Sequence, residues 1–126
     1  MSKQEEIDTI QLNGVGYIRK DRVTMQPAVN TDGLEYVVTR SRNAGVHVGY
    51  LKSHENQNVT LTQSRRIWSW VGAATLSQLA MEGVKDKDSC KFSMAVNEIR
   101  LTGVCEVIPC TEAAKSNIAE VPEWKE

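Results

Sequence analysis

The sequence has few of the residues that carry metal or redox chemistry. It contains only three cysteines, Cys90, Cys105 and Cys110, and only two histidines, His47 and His54. No CxxC pair occurs, and structural zinc sites normally show paired ligand spacing, so we expect no metal site. An odd number of cysteines without a signal peptide indicates reduced thiols and a cytoplasmic protein. We expect Cys90 and Cys105 to be buried or half-buried small side chains.

Motifs of catalysis are also missing. HExxH, GxSxG and GxxxxGK[ST] do not occur, and neither histidine lies in a recognisable triad context. Gly14 and Gly16 form a GxG with no third glycine and no helix after it, which argues against a dinucleotide fingerprint. No apolar run is long enough to span a bilayer. We therefore predict that the protein is not an enzyme, needs no cofactor and has no membrane partner.

Neither sign of charge is in large excess. The formal net charge is −1, which argues against a DNA- or RNA-binding protein because such proteins need a broad basic field. The charge is uneven, however, and residues 40–66 have only Glu55 to oppose five basic side chains: Arg40, Arg42, Lys52, Arg65 and Arg66. A local basic pocket is compatible with this distribution.

The 126 residues are enough for one domain with its own core. Asn13-Gly14 separates two short runs of alternating apolar residues, which predicts a β-hairpin. Residues 20–33 contain Pro27 and Asp32-Gly33 and are typical of a linker. We therefore expect residues 1–33 to form an N-terminal hairpin arm and linker, and residues 34–126 to form an α+β ligand-binding core.

Within that core, residues 35–70 alternate with a period of two and predict a β-meander. His47 is expected on a solvent-facing side of its strand, with a ligand contact as the alternative. Two further strands, roughly residues 94–102 and 104–108, are expected to form a hairpin that turns at Thr102-Gly103. Thr75 and Thr111 are the expected N-caps of two short helices, and Gly83 is expected to stop the first. The predicted fold is α+β: a small antiparallel β-sheet or curled barrel with two short helices and the hairpin arm.

The stretch from Thr62 to Gly83 is the predicted functional segment. In an extended strand, Arg66, Trp68 and Trp70 share one face and Arg65 lies on the other. An arginine fork matches phosphate oxygens, an aromatic face stacks on a nucleobase, and residues 72–75 place small residues and backbone amides at a helix start. The same pattern also fits a less specific structure, with both tryptophans in the core and both arginines solvated.

Five blocks of the sequence carry a resemblance to known proteins. They span most of residues 34–125 and comprise RRIWSWVGAATLSQLAMEG (65–83), AGVHVG (44–49), CKF (90–92), PCTEAAK (109–115) and VPEWK (121–125). Together they resemble a family of small phage and prophage proteins, many of which carry only a domain-of-unknown-function label. The resemblance implies that this family includes the anti-Thoeris sponge proteins, which bind cyclic ADP-ribose isomers.

The resemblance implies sequestration of a signal. Thoeris is a bacterial defence in which a cyclic ADP-ribose signal switches on an effector, and a sponge protein holds that signal without cleaving it. The family implies a homo-oligomer, from a dimer up to a hexamer, with pockets at subunit boundaries in the infected cell. Some relatives also capture cyclic oligonucleotides at separate sites. The residue types expected to contact ligand are matched here by Arg65, Arg66, Phe92, Asn97 and Arg100.

One segment departs from the family pattern. Residues 40–44 read Arg-Ser-Arg-Asn-Ala, where the family has Thr-Tyr-Ser before the AlaGlyVal, so an arginine is added. Because of this added arginine, we include Arg40 and Arg42 in the predicted ligand-binding set as phosphate contacts. Trp68 is included separately, as an aromatic that could stack on a base. The alternative function is a non-catalytic phage structural or protein-interaction module with an aromatic core.

Overall fold

The computed structural model describes residues 9–12, 15–18 and 26–126. Strands β1 (Thr9–Leu12) and β2 (Val15–Ile18) pair antiparallel as a separate two-stranded sheet, with Leu12 opposite Val15. This pairing confirms the predicted N-terminal hairpin. The turn residues Asn13-Gly14 and the first part of the predicted linker lie outside the described residues.

The core is an antiparallel sheet with two helices, so the α+β prediction is confirmed. The strands are β3 (Tyr36–Ser41), β4 (Gly45–Glu55), β5 (Asn58–Ser69), β6 (Lys91–Phe92), β7 (Val96–Leu101) and β8 (Val104–Pro109). Their order is β6-β5-β4-β3-β8, and β7 pairs with the first half of β5. The helices are α1 (Leu76–Glu82) and α2 (Glu112–Ala119), and a short 3-10 turn lies at Lys87–Ser89.

The sheet curls but does not close. Only Thr102-Gly103 separates β7 from β8, yet these strands do not pair with each other. Leu101 of β7 lies opposite Val59 on β5, whereas Ile108 of β8 lies opposite Val38 on β3. The predicted β7–β8 hairpin is therefore wrong. The chain instead crosses the open end of the curl, because each strand buries an apolar side chain in the small core inside it.

The main core lies between the outer face of the sheet and the two helices. Thr75 Oγ1 accepts a hydrogen bond from the Gln78 amide at 3.1 Å, and Thr111 Oγ1 accepts one from the Ala114 amide at 3.1 Å, so both predicted N-caps are confirmed. Gly83 ends α1 with φ +79°, as expected for a C-terminal glycine. The buried residues of this core include Val38, Val48, Ile67, Leu79, Ala80, Phe92, Ala114, Ile118 and Val121.

A second, smaller core fills the inside of the curl, around Val37, Val59, Leu61, Leu101 and Val104. Strand alternation places Thr39 and Ser41 on the same face as Val37, and His47 lies opposite Thr39. His47 is only 1 % exposed, so the prediction of a solvent-facing histidine is wrong. The reason is that the sheet curls, so that the face that carries His47 is covered by other strands of the same sheet.

A bulge in β5 decides which side chains face which core. Val48 lies opposite Arg65 and Tyr50 lies opposite Thr62, so β5 has one residue more than β4 between these pairs. Gln63 in this bulge has φ +50°, a conformation uncommon for residues other than glycine. After the bulge, Arg65 faces the helices, and the next residue points to the opposite side of the sheet.

The cysteines and the helices complete the fold. Cys90 and Cys110 are buried, but Cys105 is exposed at the free edge of the sheet on β8, against expectation. Burial raises the pKa of the Cys110 thiol to about 12. Among the described residues, no helix is long and apolar enough to cross a membrane.

Candidate ligand-binding site

Arg65 is a structural residue that ties the end of α2 to the sheet. Its Nε donates to the Ser93 carbonyl at 2.7 Å, and its Nη1 and Nη2 donate to two carbonyls at the end of α2 and beyond it, those of Ile118 (3.0 Å) and Val121 (2.9 Å). A cation is favourable at a helix C-terminus because the last carbonyls lack amide partners. Burial lowers the pKa of Arg65, which nevertheless keeps its charge at any ordinary pH. Because its donors are engaged by the protein, the geometry does not support the predicted phosphate contact.

Phe92 is equally unsuited to stacking on a base. Its side chain is 0 % exposed, and its ring lies under the guanidinium of Arg65 with 5.4 Å from Cζ to the ring centroid. The predicted aromatic contact thus belongs to the main core.

Arg66 lies on the other side of the sheet and is exposed. Its Nε donates to His47 Nε2 at 3.2 Å, and its backbone amide donates to Ser93 Oγ at 2.8 Å. Its two terminal nitrogens have no partner within the part of the chain that the structure describes. A guanidinium held through Nε, with its outer edge available, is prepared for a bidentate oxygen ligand.

Trp68 follows on the same face and forms an exposed aromatic platform with Trp124. The two rings stack with centroids 6.2 Å apart and planes at 23°, and Lys91 Nζ lies 5.2 Å from the Trp124 centroid. Trp68 is 67 % exposed, so it is not a core residue. The backbone brings Trp124 here because its amide donates to the Phe92 carbonyl at 2.8 Å.

Trp70 does not extend this platform, contrary to the predicted three-residue face. Strand β5 ends at Ser69, and the Trp70 ring then packs half-buried against the main core. Its Nε1 donates to the Ala73 carbonyl at 3.0 Å. The alternative with both tryptophans in the core is therefore wrong for Trp68, and Trp70 packs only half-buried against that core.

The predicted anion site at the start of α1 is also not supported. The Ala74 amide donates to Gln78 Oε1 at 2.7 Å, and the Gln78 amide donates to Thr75 Oγ1. The side chains of the helix itself therefore satisfy these donors.

Two adjoining cavities meet at Arg66. One, of about 350 Å³, is a groove lined by the β3–β4 turn (residues 43–46), Arg66, Trp68 and Trp70. The other, of about 300 Å³, lies towards β7 and is lined by residues that include His47, Ser64 and Arg66. Both reach the lower end of the volumes typical of small-molecule sites. We call them the tryptophan groove and the histidine cavity.

The remaining predicted residues lie elsewhere on the surface. Arg40 is exposed, and its Nε donates to Glu106 at 2.8 Å. Arg100 lines a separate cavity on β5 and β7, where its Nη2 lies 3.3 Å from Glu98. Asn97 is exposed on β7, and Arg42 is exposed in the β3–β4 turn. The structure thus brings together Arg66 and Trp68 from the predicted set.

Sequence reasoning missed three residues at this site, and none of them has a local signal. Lys91 and Trp124 reach the platform through a bridge between the C-terminal segment and β6, with Glu123 opposite Phe92. Ser64 faces the histidine cavity because of the bulge. His47 was noticed, but its burial depends on the curl. Among the described residues, no group of three potential metal ligands comes together.

Comparison with known proteins identifies one family. The family described as a domain of unknown function (DUF6948) matches residues 34–118, which is more than half of the chain. No curated protein and no solved structure matches the chain.

Proposed function

The chain belongs to the DUF6948 family, a domain of unknown function, and we propose, from the candidate site and the sequence resemblance, that it is a non-catalytic binding protein that sequesters a cyclic nucleotide immune signal. The ligand we propose is a cyclic ADP-ribose isomer, held uncleaved in the cytoplasm of a phage-infected bacterial cell. The observation that carries the proposal is the position of Arg66, between the exposed Trp68 platform and two adjoining cavities.

The mechanism follows from these side chains. The adenine stacks on Trp68, a contact worth about 1–3 kcal/mol for a nucleobase on an aromatic ring. The guanidinium of Arg66 binds oxygens of the diphosphate through its terminal nitrogens. Backbone groups at Ala44 and Gly45 line the groove, where small residues let the ligand approach closely. Sequestration needs tight binding and slow release, because each captured molecule has to be kept from the effector.

We propose further that a second copy of the chain completes the site. Both cavities are open on the single chain, and apolar side chains that line them or stack beside them are exposed: Trp68 (67 %), Met94 (49 %), Val96 (44 %) and Trp124 (51 %). Exposed apolar groups of this size are typical of interaction surfaces. A homo-oligomer, from a dimer to a hexamer, would cover them and enclose the ligand, and we include cyclic oligonucleotides as further candidate ligands.

The test is calorimetry with cyclic ADP-ribose isomers and cyclic oligonucleotides. We expect wild-type protein to bind at least one of them, and Trp68→Ala and Arg66→Ala each to weaken binding by about 10- to 100-fold. Lys52→Ala is the matched control, because Lys52 is an exposed cation on β4 paired with Glu98 at 2.9 Å. No heat from any of these ligands, with the protein folded, would contradict the proposal.

The second candidate is a structural or protein-interaction module, which the Trp68–Trp124 stack favours. Exposed aromatic side chains are enriched at protein interfaces. Both functions expect Trp68→Ala to weaken the oligomer in a native mass spectrum, because both place Trp68 at a subunit contact, but only this second function predicts that no nucleotide co-purifies. Sequestration predicts a nucleotide-sized mass on the wild-type assembly.

A further inference from the structure

Three buried polar atoms inside the curl lack hydrogen-bond partners among the described residues, namely Ser41 Oγ, His47 Nδ1 and Ser64 Oγ, and the last two belong to residues that line the histidine cavity. His47 and Ser64 are each 1 % exposed. Leaving such a group unsatisfied costs about 1–3 kcal/mol. Native proteins rarely carry this cost without a bound water, an ion or a ligand that offsets it.

The hydrogen bond from Arg66 defines what His47 offers. Arg66 Nε is always a donor, so His47 Nε2 has to accept, and the proton of the neutral ring is on Nδ1. Burial, followed by the charge of Arg66, lowers the pKa of His47 to about 4, and the ring is therefore neutral near pH 7. His47 thus presents an unpaired N–H donor, and it does so without a charge of its own.

The described side chains that line the histidine cavity are hydrogen-bond donors and apolar groups, and none of them is anionic. Besides His47 and Ser64, it is lined by Arg66, by Ser93 and by the apolar side chains of Met94, Val96 and Ile99. Ser93 Oγ is already engaged, since it accepts from the Arg66 amide and donates to the Met94 carbonyl. No carboxylate lines the cavity within the described residues. The groups left to bind are one cation and two neutral donors, which suits a ligand that has several acceptor oxygens and a negative charge.

We propose that the histidine cavity binds an oxyanion of the phosphate type, with Arg66 supplying the charge and His47 and Ser64 supplying neutral hydrogen bonds. The phosphate could belong to a nucleotide seated in the tryptophan groove or be free in solution. The inference extends the proposed site through the shared Arg66, and it rests on the proposed function only for the nucleotide as the source of the phosphate. The competing occupant is an internal water.

The experiment is an NMR titration of the histidine side chains with inorganic phosphate and, separately, with inorganic pyrophosphate, against sodium chloride of equal ionic strength. We expect saturable shifts of the His47 ring resonances and none for His54, which lies at the far end of β4. Arg66→Ala should abolish the shifts. Ser64→Ala should weaken phosphate binding about 10- to 150-fold, the loss expected for one hydrogen bond to a charged ligand.

The outcomes separate this inference from the sponge proposal. His47 resonances that respond equally to phosphate and chloride would mean that the cavity holds only water, and would overturn the inference whatever nucleotide binds. Phosphate binding without any cyclic nucleotide binding would support the cavity and contradict the proposed ligand. Ser64→Ala also reports on folding, because removing an unpaired buried hydroxyl should leave the unfolding temperature unchanged or raise it.

Discussion

Arg65 and Arg66 are adjacent in the sequence, and the structure predicts opposite consequences for replacing them. Arg65→Ala removes a guanidinium that is only 8 % exposed and hydrogen-bonded to carbonyls of Ser93, Ile118 and Val121. Arg66→Ala removes an exposed side chain whose one side-chain partner among the described residues is His47. The first variant should lose stability, and the second should lose ligand.

The loss of stability expected for Arg65→Ala follows from the three short hydrogen bonds that its guanidinium donates. A hydrogen bond to a charged group contributes about 1.5–3 kcal/mol, and such contributions within one network are not additive. The alanine also leaves the Val121 carbonyl without a donor among the described residues, whereas the Ile118 carbonyl still accepts from the Val121 amide at 3.1 Å. We expect a loss of about 3–5 kcal/mol in the free energy of unfolding, a large part of the 5–15 kcal/mol typical of a domain.

Urea denaturation followed by tryptophan fluorescence measures this loss, with a thermal scan as the second readout. Arg65→Ala should lower the unfolding temperature by about 10–20 °C, and Arg66→Ala should change it by about 2 °C or less. An Arg65→Ala protein that unfolds at the wild-type urea midpoint but no longer binds cyclic nucleotide would refute this reasoning. Arg65 would then be the ligand contact that the sequence alone suggested.

Two further predictions concern pH and backbone conformation. Because the pKa of His47 is about 4 in the folded protein and about 6.5 in the unfolded chain, the unfolded chain binds more protons between these values. Stability should therefore fall as the pH is lowered from about 6.5 to 4, by at most about 3 kcal/mol, and His47→Phe should flatten that slope in urea midpoints. Gly72 has φ +100°, and an added Cβ would overlap the backbone nitrogen of Lys85, so Gly72→Ala should cost more than about 1 kcal/mol in thermal unfolding. Gly103→Ala is its control, since φ is +70° there but the space is open; an equal loss at both positions would show that strain alone matters.

Local signals in the sequence were enough to predict much of the fold. Thr75 and Thr111 cap their helices as their spacing predicts, because capping depends on residues within one turn. Strands β3 to β5 were also predictable, because the alternation of side chains along a strand is likewise a property of neighbouring residues. The crossing from β7 to β8 could not be predicted this way, since a turn at Thr102-Gly103 looks the same whether its strands pair together or with distant partners.

The candidate site depends on contacts between residues distant in the sequence more than the helices and strands do. Because successive side chains of a strand point to opposite faces of the sheet, the sequence predicts that Arg65 and Arg66 lie on different faces. It does not predict which of them faces the helices. That choice is made by the bulge at Gln63, a residue type with no preference for positive φ. Trp124 joins Trp68 only because the C-terminal segment pairs beside β6. The sequence thus indicated arginines and tryptophans, and the fold brings Arg66 and Trp68 together at the candidate site.

The central claim is capture without cleavage, and one measurement tests it most directly. The protein is saturated with a cyclic ADP-ribose isomer, separated from unbound ligand and denatured by heat, and the released material is identified by chromatography with mass detection. We predict intact cyclic ligand in an amount close to one molecule per site. Recovery of a linear, hydrolysed product would contradict the account and would mean that the protein is an enzyme.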